Sequence, residues 1–207
     1  MSIREALTSL NVSRETEAQL HDFVALVKKW NPVINLIARS SVPNIWSRHI
    51  DDSAQIVALA NASGPWIDIG SGGGFPGIVA AICLKDIAPS TSVTLVESDV
   101  RKAAFLRQAA ITLKLNCEIY SSRIESLTLP RAATLSARAL APLPVLFQYA
   151  ERLVRKDGVC LFMKGQTYHE ELAAAQKSWS FEYDIVPSQT DLTAAVLKIR
   201  NIRRAAD

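Results

Sequence analysis

The sequence predicts an α/β fold: a seven-stranded, Rossmann-like sheet with crossover helices, preceded by a helical N-terminal extension over residues 1–65. Three observations predict it. Up to Pro65 the apolar residues recur at helical spacing. From Trp66 onward short apolar runs alternate with helical stretches, the pattern of a parallel sheet wound by crossovers. A glycine-rich segment follows the first of those runs directly, where such folds turn from strand to helix.

In the extension, Leu20, Phe23, Val24, Val27 and Trp30 share one helical face, with Ser13 suited to the N-cap and Asn31-Pro32 reading as the stop. A second helix is expected from Pro43 through Ile45, Trp46, His49, Ile50, Ile56 and Val57, ending between Asn61 and Pro65. Strands are expected at Trp66–Ile69, Val93–Glu97, Cys117–Tyr120, Thr134–Ala137, Val159–Met163, Phe181–Val186 and Ala194–Arg200. Helices fill the gaps at Pro76–Leu84, Asp99–Lys114, Pro144–Lys156 and Tyr168–Trp179. Only a loop around Pro187 to Asp191 joins the last two strands, so the final strand should run antiparallel. The division expected is a helical segment, 1–65, packed on a Rossmann-like domain, 66–207.

At 207 residues, 49% hydrophobic and 21% charged, the chain suits one core and does not have the composition of a disordered, collagen-like or coiled-coil protein. Its longest apolar run, Ile78 to Leu84, is seven residues, against the roughly 20 of a membrane-spanning helix. With no apolar stretch behind a basic start, a cytoplasmic protein without membrane contact is expected. Cys83, Cys117 and Cys160 are odd in number and set among apolar residues, which suits reduced thiols, and no metal site is expected. The net charge of +3 is unevenly spread. Residues 101–138 carry seven basic side chains against two acidic, and Arg200, Arg203 and Arg204 add to the C-terminus, so a polyanion is a candidate partner.

The sharpest local signal is the stretch Asp68 to Gly77, with four of the chain's eight glycines between positions 70 and 74. Glycine there lets the backbone turn tightly and approach a ligand. Glu97, ending the next strand, is placed to accept from both hydroxyls of a ribose. Two registers compete. Gly72, Gly74 and Gly77 give a dinucleotide-type spacing and hence an NAD-dependent oxidoreductase, for which no hydride-transfer acid is evident. Starting from Asp68 and Gly70, the loop instead favours S-adenosylmethionine, whose ammonium group gains from a nearby carboxylate where a pyrophosphate does not. A third reading, from the basic segment, is a non-catalytic RNA-binding or ribosome-associated protein that keeps S-adenosylmethionine as a structural ligand.

Ordered motifs extend over nearly the whole chain: Lys29-Trp30-Asn31 with Asn35-Leu36, His49-Ile50 with Asp52-Ser53, and the loop with Phe75-Pro76-Gly77. Leu95-Val96-Glu97-Ser98, the run Arg101 to Arg107, Ser122-Arg123-Ile124-Glu125, Arg138-Ala139 and Lys164-Gly165-Gln166 follow. In these the chain resembles the bacterial small-subunit rRNA methyltransferase G family, also called glucose-inhibited division protein B. It departs at Ile37, where the family has Thr, at Asp51, which interrupts a His-Ile-Leu-Asp-Ser pattern, and at Ala133, in place of an Asp.

The resemblance implies a class I S-adenosylmethionine-dependent methyltransferase fold and methyl transfer to N7 of a guanine in 16S rRNA, with 16S rRNA or the small subunit as partner and the protein a monomer. Guanine N7 has a free in-plane lone pair, so no catalytic base is named. Gly70 and Phe75 are expected to bracket the cofactor's methionine and ribose, Glu97 to take the ribose, and Ile124 and Glu125 to meet the adenine edge. Arg138 is a candidate for the cofactor carboxylate or an rRNA phosphate. Arg101, Lys102, Arg107 and Lys164 are candidate RNA contacts, and His49 either meets RNA or packs the helices onto the sheet.

Overall fold

The computed structural model describes residues 10–60 and 64–205. Helix α1 (Arg14–Ile34) starts at Ser13, whose Oγ accepts from the Thr16 backbone N–H at 3.2 Å. The Ser13 N–H and the Thr16 hydroxyl both donate to Asp86 Oδ2, which ties the start of α1 to the end of α3 (Gly77–Ile87). Asn31-Pro32 does not stop the helix. Pro32 lies inside the last turn, and the chain leaves α1 at Asn35 with a φ of 48°. The Asn31 side chain instead reaches forward, its Oδ1 accepting from the Ile37 N–H at 2.9 Å, and fastens the chain that follows.

The second expected helix is three pieces: a 3₁₀ segment (Arg39–Asn44), a π-helical turn (Trp46–Asp51) and α2 (Asp52–Leu59). A wider π turn keeps His49, Ile50 and Asp51 all buried. Residues 61–63, part of the expected stop, lie outside the described residues.

All seven strands form: β1 (Trp66–Ile69), β2 (Val93–Glu97), β3 (Cys117–Ser121), β4 (Ala132–Arg138), β5 (Val154–Lys164), β6 (Trp179–Pro187) and β7 (Ala195–Arg204). Their order is β3-β2-β1-β4-β5-β7-β6. The first five are parallel, and β7 runs antiparallel to both β5 and β6. The crossovers are α3, α4 (Val100–Thr112), α5 (Leu143–Leu153) and α6 (Tyr168–Gln176). Residues 154–156, expected in helix, open β5 instead. The apolar face of α5 is complete at Leu153, and Val154 pairs with Ala132.

Two apolar layers cover the sheet. Leu20, Phe23, Ile56, Ile82 and Phe105 join α1, α2, α3 and α4 on one face. Phe147, Phe162, Leu172 and Trp179 build the other under α5 and α6. The N-terminal helices thus bury their apolar faces in the same cluster as the crossovers, with Phe23 at 5.2 Å from Phe75 and Trp30 at 5.8 Å from Phe105, ring to ring. The fully buried Phe23 and Phe105 rings are each worth about 2–3 kcal/mol relative to exposure. Parallel strands place their carboxyl ends on one edge, so Ile69, Glu97, Ser121, Arg138 and Lys164 all arrive at the same side of the molecule.

Candidate active site

The β1–α3 loop folds back on β2. Gly70 and Ser71 N–H groups both donate to the Val96 carbonyl, at 2.9 and 3.1 Å, and the Gly74 N–H closes a turn on the Ser71 carbonyl at 2.7 Å. Gly70 (φ 67°) and Gly72 (φ 53°) have left-handed backbones that L side chains disfavour. A Cβ on Gly70 would lie 2.6 Å from Leu140 Cδ1, whereas one on Gly72 would meet only the Gly70 carbonyl at 3.7 Å. The loop therefore leaves a bare backbone shelf at the sheet edge.

Glu97 fixes that shelf. Its Oε2 accepts from the Gly72 N–H at 2.8 Å and its Oε1 from the Asp99 N–H at 2.7 Å. Each oxygen keeps a free lone-pair direction, as a ribose diol requires. Asp99 in turn caps α4 by accepting from the Arg101 and Lys102 N–H groups. Beside the shelf lies a cleft of about 170 Å³ lined by Gly70, Val96, Ser98, Ser122, Arg123, Ile124, Glu125, Leu140, Ala141 and Tyr149. Ile124 is buried, and the Glu125 carboxylate accepts from the Tyr149 hydroxyl, which holds it below the usual carboxylate range. A shelf that a Cβ would obstruct, a carboxylate with spare acceptors and a narrow cleft together suit a nucleoside.

On the far side of Leu140 and Ala141 a second pocket of about 460 Å³ opens, lined among others by Arg48, Asp52, Arg138, Lys164, Glu171, Ser188, Thr190 and Asp191. Arg138 is held by the π turn. Its Nη1 donates to His49 Nδ1 at 2.9 Å and its Nη2 to the Arg48 carbonyl at 3.0 Å. Because a guanidinium only donates, His49 carries its proton on Nε2 and donates to Ser41 Oγ at 3.0 Å. Burial first, then the Arg138 and Arg48 charges, push His49 down to about 3, so the ring is neutral. His49 also lies 4.9 Å from the Phe75 ring, and so belongs to the packing between helices and sheet.

The structure thus gathers Gly70, Ile124 and Glu125 around one cleft, sets Glu97 beside it on the Gly72 N–H, and puts Arg138 in the next pocket. Phe75 is buried behind the loop, against Phe23 and His49. Arg101 and Lys102 stand at the start of α4, near Glu97, and Arg101 is exposed beside Asp99 at 3.6 Å. Arg107 lies farther along α4, with Nη2 at 3.5 Å from the Ile119 carbonyl. The Lys164 ammonium is engaged inward, donating at 2.6 Å to both Glu171 Oε2 and the Ala141 carbonyl. It pins the loop that divides the two cavities.

Asp68 does not take the position expected of it. Its side chain has no exposure. Oδ1 accepts from Ser136 Oγ at 2.6 Å, while Oδ2 is without a partner and sits where a Cβ on Gly77 would be 2.6 Å away. Burial raises it to about 6. The carboxylate supports the start of α3 from below and does not open toward a ligand's ammonium group. The residues the sequence did not point to are Arg48, Glu171, Ser188, Thr190 and Asp191, which come from segments with no local motif. The signals available for that pocket were Asp52-Ser53, Arg138-Ala139 and Lys164-Gly165. Among the described residues no group of three His, Cys, Asp or Glu is placed to hold a metal ion.

Residues 16–201 match the family profile described as rRNA small subunit methyltransferase G. The chain belongs to that family. Curated rRNA small subunit methyltransferases G of Cereibacter sphaeroides are similar at 49% identity over 97% of this chain and 98% of the relative (strain ATCC 17029), and at 51% over 93% of each (strain ATCC 17025). That of Ruegeria pomeroyi is 47% identical over 99% of this chain and 100% of its own length. Solved methyltransferase structures share the fold at low identity. The ribosomal protein L11 methylase of Lactobacillus delbrueckii has a TM-score of 0.57 at 15% identity, covering 73% of this chain and 77% of that one. TYW2 of M. jannaschii, solved with AdoMet, has a TM-score of 0.56 at 14% identity and 76% coverage of both. The methyltransferase G family and this sheet therefore coincide with the class I methyltransferase architecture.

Proposed function

We propose that this protein transfers a methyl group from S-adenosylmethionine to N7 of a guanine in 16S rRNA of the small ribosomal subunit. The observation that carries it is near-full-length membership of the methyltransferase G family, at 47–51% identity to relatives named for that activity, on a chain whose glycine shelf fits the cofactor. The NAD reading is not favoured by any of these relatives, and neither is the non-catalytic reading with S-adenosylmethionine as a structural ligand, since the relatives are named as methyltransferases.

S-adenosylmethionine supplies an electrophilic methyl group on a sulfonium, which bonds to guanine N7 while sulfur keeps the electron pair. Glu97 would accept the ribose hydroxyls, and the Gly70 backbone and the Ile124–Glu125 turn would bracket the methionine portion and the adenine, with Phe75 backing the loop. Arg138, the remaining proposed cofactor residue, stands in the neighbouring pocket, where it meets the cofactor carboxylate or an rRNA phosphate. No proton has to leave N7, so the chain's contribution is alignment and placement of charge. For the rRNA we propose Arg101 and Lys102 at the mouth, Arg107 farther along α4, and Lys164 through the loop it fixes. Large exposed apolar side chains such as Val33, Ile111 and Leu192 lie on different elements, which supports a monomer, and a substrate in the ribosome supports action in the cytoplasm. No described helix is long and apolar enough to cross a membrane.

The test is incubation with tritiated S-adenosylmethionine and 30S particles or rRNA lacking the modification, followed by digestion to nucleosides. Label in N7-methylguanosine is expected. Label in another nucleoside, or none with all substrates, overturns the reading.

A further inference from the structure

In the pocket beyond Leu140, Asp52, Ser188 and Thr190 have no role in the methyl-transfer reading so far. We propose that this pocket seats the acceptor guanine and that Asp52 is the specificity-determining residue, reading the base's Watson–Crick edge. The inference rests on the reading that a guanine is the substrate.

Four observations carry it. First, the pocket and the cofactor cleft share Leu140 and Ala141, so a base in one lies next to a nucleoside in the other. At about 460 Å³ it has room for a nucleotide turned out of its stack. Second, Asp52 stands at the first turn of α2, directly after the π turn, and is buried yet lines the pocket. Third, its two oxygens are used unequally. Oδ1 accepts from Ser188 Oγ at 2.9 Å and Thr190 Oγ1 at 2.7 Å, and Oδ2 accepts from no described residue. Fourth, Asp52 makes no ion pair among the described residues: the nearby Arg138 is committed to His49 and the Arg48 carbonyl, and Arg48 itself lies 4.0 Å from Asp191. One oxygen therefore grips the β6–β7 loop, and the other has no donor among the described residues, on a side chain that lines the pocket.

The chemistry selects among the bases. Guanine presents two adjacent donors on its Watson–Crick edge, N1–H and the 2-amino group, and these lie across the ring system from N7. A base whose N7 is turned toward the cofactor cleft presents those donors to the opposite wall. Oδ2 has two lone pairs to receive them. Adenine places an acceptor, N1, at the same point, and two acceptors repel. A carboxylate bonded to N1–H also holds the base more tightly as it gains positive charge on methylation, which favours the transition state over the ground state.

The test separates this contact from the structural grip. Binding of 5′-GMP, 5′-IMP, which lacks the 2-amino group, and 5′-AMP is measured by titration calorimetry or ligand-observed NMR. The protein is saturated with S-adenosylhomocysteine and compared in wild-type form and as Asp52→Asn. In the wild type GMP is expected to bind about tenfold tighter than IMP, and AMP more weakly than either. In Asp52→Asn, whose amide oxygen can still serve Ser188 and Thr190, GMP is expected to fall to the level of IMP while S-adenosylhomocysteine affinity stays within about twofold. A merely structural role would weaken all three nucleotides together and leave their ratio unchanged. Equal GMP and IMP affinity in the wild type overturns the proposal without any variant, and so does a GMP preference that persists in Asp52→Asn. Failure of the underlying reading shows separately, as wild-type protein that labels no N7-methylguanosine in rRNA.

Discussion

The two cavities on either side of Leu140 are built in different ways. The cleft proposed for the cofactor is made by backbone: a glycine shelf and the Ile124–Glu125 turn, with a single carboxylate, Glu97, beside it clamping two N–H groups. The pocket beyond it is made by side chains from the π turn, α2, β4, β5, α6 and the β6–β7 loop, held by Arg138–His49, Lys164–Glu171 and Asp52–Ser188 contacts. Backbone geometry dictates glycines at fixed positions and so leaves a contiguous motif, whereas long-range side-chain contacts leave only short pieces scattered along the chain. The first arrangement suits a ligand common to many enzymes, the second a substrate particular to one.

The largest effect should come from breaking the backbone cleft. Glu97→Ala removes the acceptor of the Gly72 and Asp99 N–H groups together with the proposed ribose contact. S-adenosylmethionine affinity should fall at least about a hundredfold, near 3 kcal/mol, by titration calorimetry. Affinity retained within threefold would place the cofactor elsewhere.

Arg138→Ala probes the wall between the cavities. It strands His49 Nδ1 and the Arg48 carbonyl, so kcat/KM for rRNA should drop about tenfold to thirtyfold, or 1.5–2 kcal/mol. Cofactor affinity should move less than threefold. A tenfold loss of cofactor affinity instead would show that the guanidinium crosses the wall to the cofactor carboxylate and that the two cavities are one site.

The same contrast explains how much was legible. The seven strands, the antiparallel β7, Ser13 as N-cap and the loop–Glu97 pair follow from periodicity, capping and glycine placement, all local properties. The π turn was not legible, because its residues carry an ordinary helical pattern and only packing against α1 and the sheet widens it. Asp68 misled for a related reason. A strand residue next to a glycine loop points to one face or the other, and the partner that decides it, Ser136, is 68 positions away. Lys164 reads as a free cation until Glu171 and the Ala141 carbonyl are brought to it.

His49 gives a smaller, pH-dependent test of the side-chain-built region. Its folded value is lowered from 6.5 to about 3. Its contribution to stability is therefore complete above pH 6.5 and is lost as pH falls from there toward 3, because the unfolded chain binds a proton the folded one refuses. Asp51 and Asp68, both raised to about 6 by burial, act in the opposite sense, their contribution lost as pH rises through 6. Comparison of wild type with His49→Gln cancels those two. Between pH 7 and pH 5 the wild type should lose about 2 kcal/mol relative to the variant in urea denaturation. A difference that is flat over this range would mean that His49 is free to protonate and that Arg138 is not donating to it.

The smallest effects belong to the exposed cations, and they sharpen where the rRNA crosses the two cavities. Arg101 and Lys102 begin α4 beside the cofactor shelf, with the Arg101 side chain 70% exposed, whereas Arg107 lies six residues on, about 9 Å down the helix axis. Solvent screening makes each phosphate contact worth only a few tenths of a kcal/mol to about 1 kcal/mol, so Arg101→Ala and Lys102→Ala should each weaken rRNA binding about twofold to fourfold. The more discriminating readout is salt. Each lost phosphate contact should reduce the slope of log affinity against log salt by about 0.7 to 1, with cofactor affinity untouched. If RNA enters over the mouth of the cleft, Arg101 and Lys102 should lower the slope more than Arg107 does. An equal drop for all three would extend the RNA path down the flank of α4, and a drop for Arg107 alone would move it away from the cleft and break the assignment of the mouth.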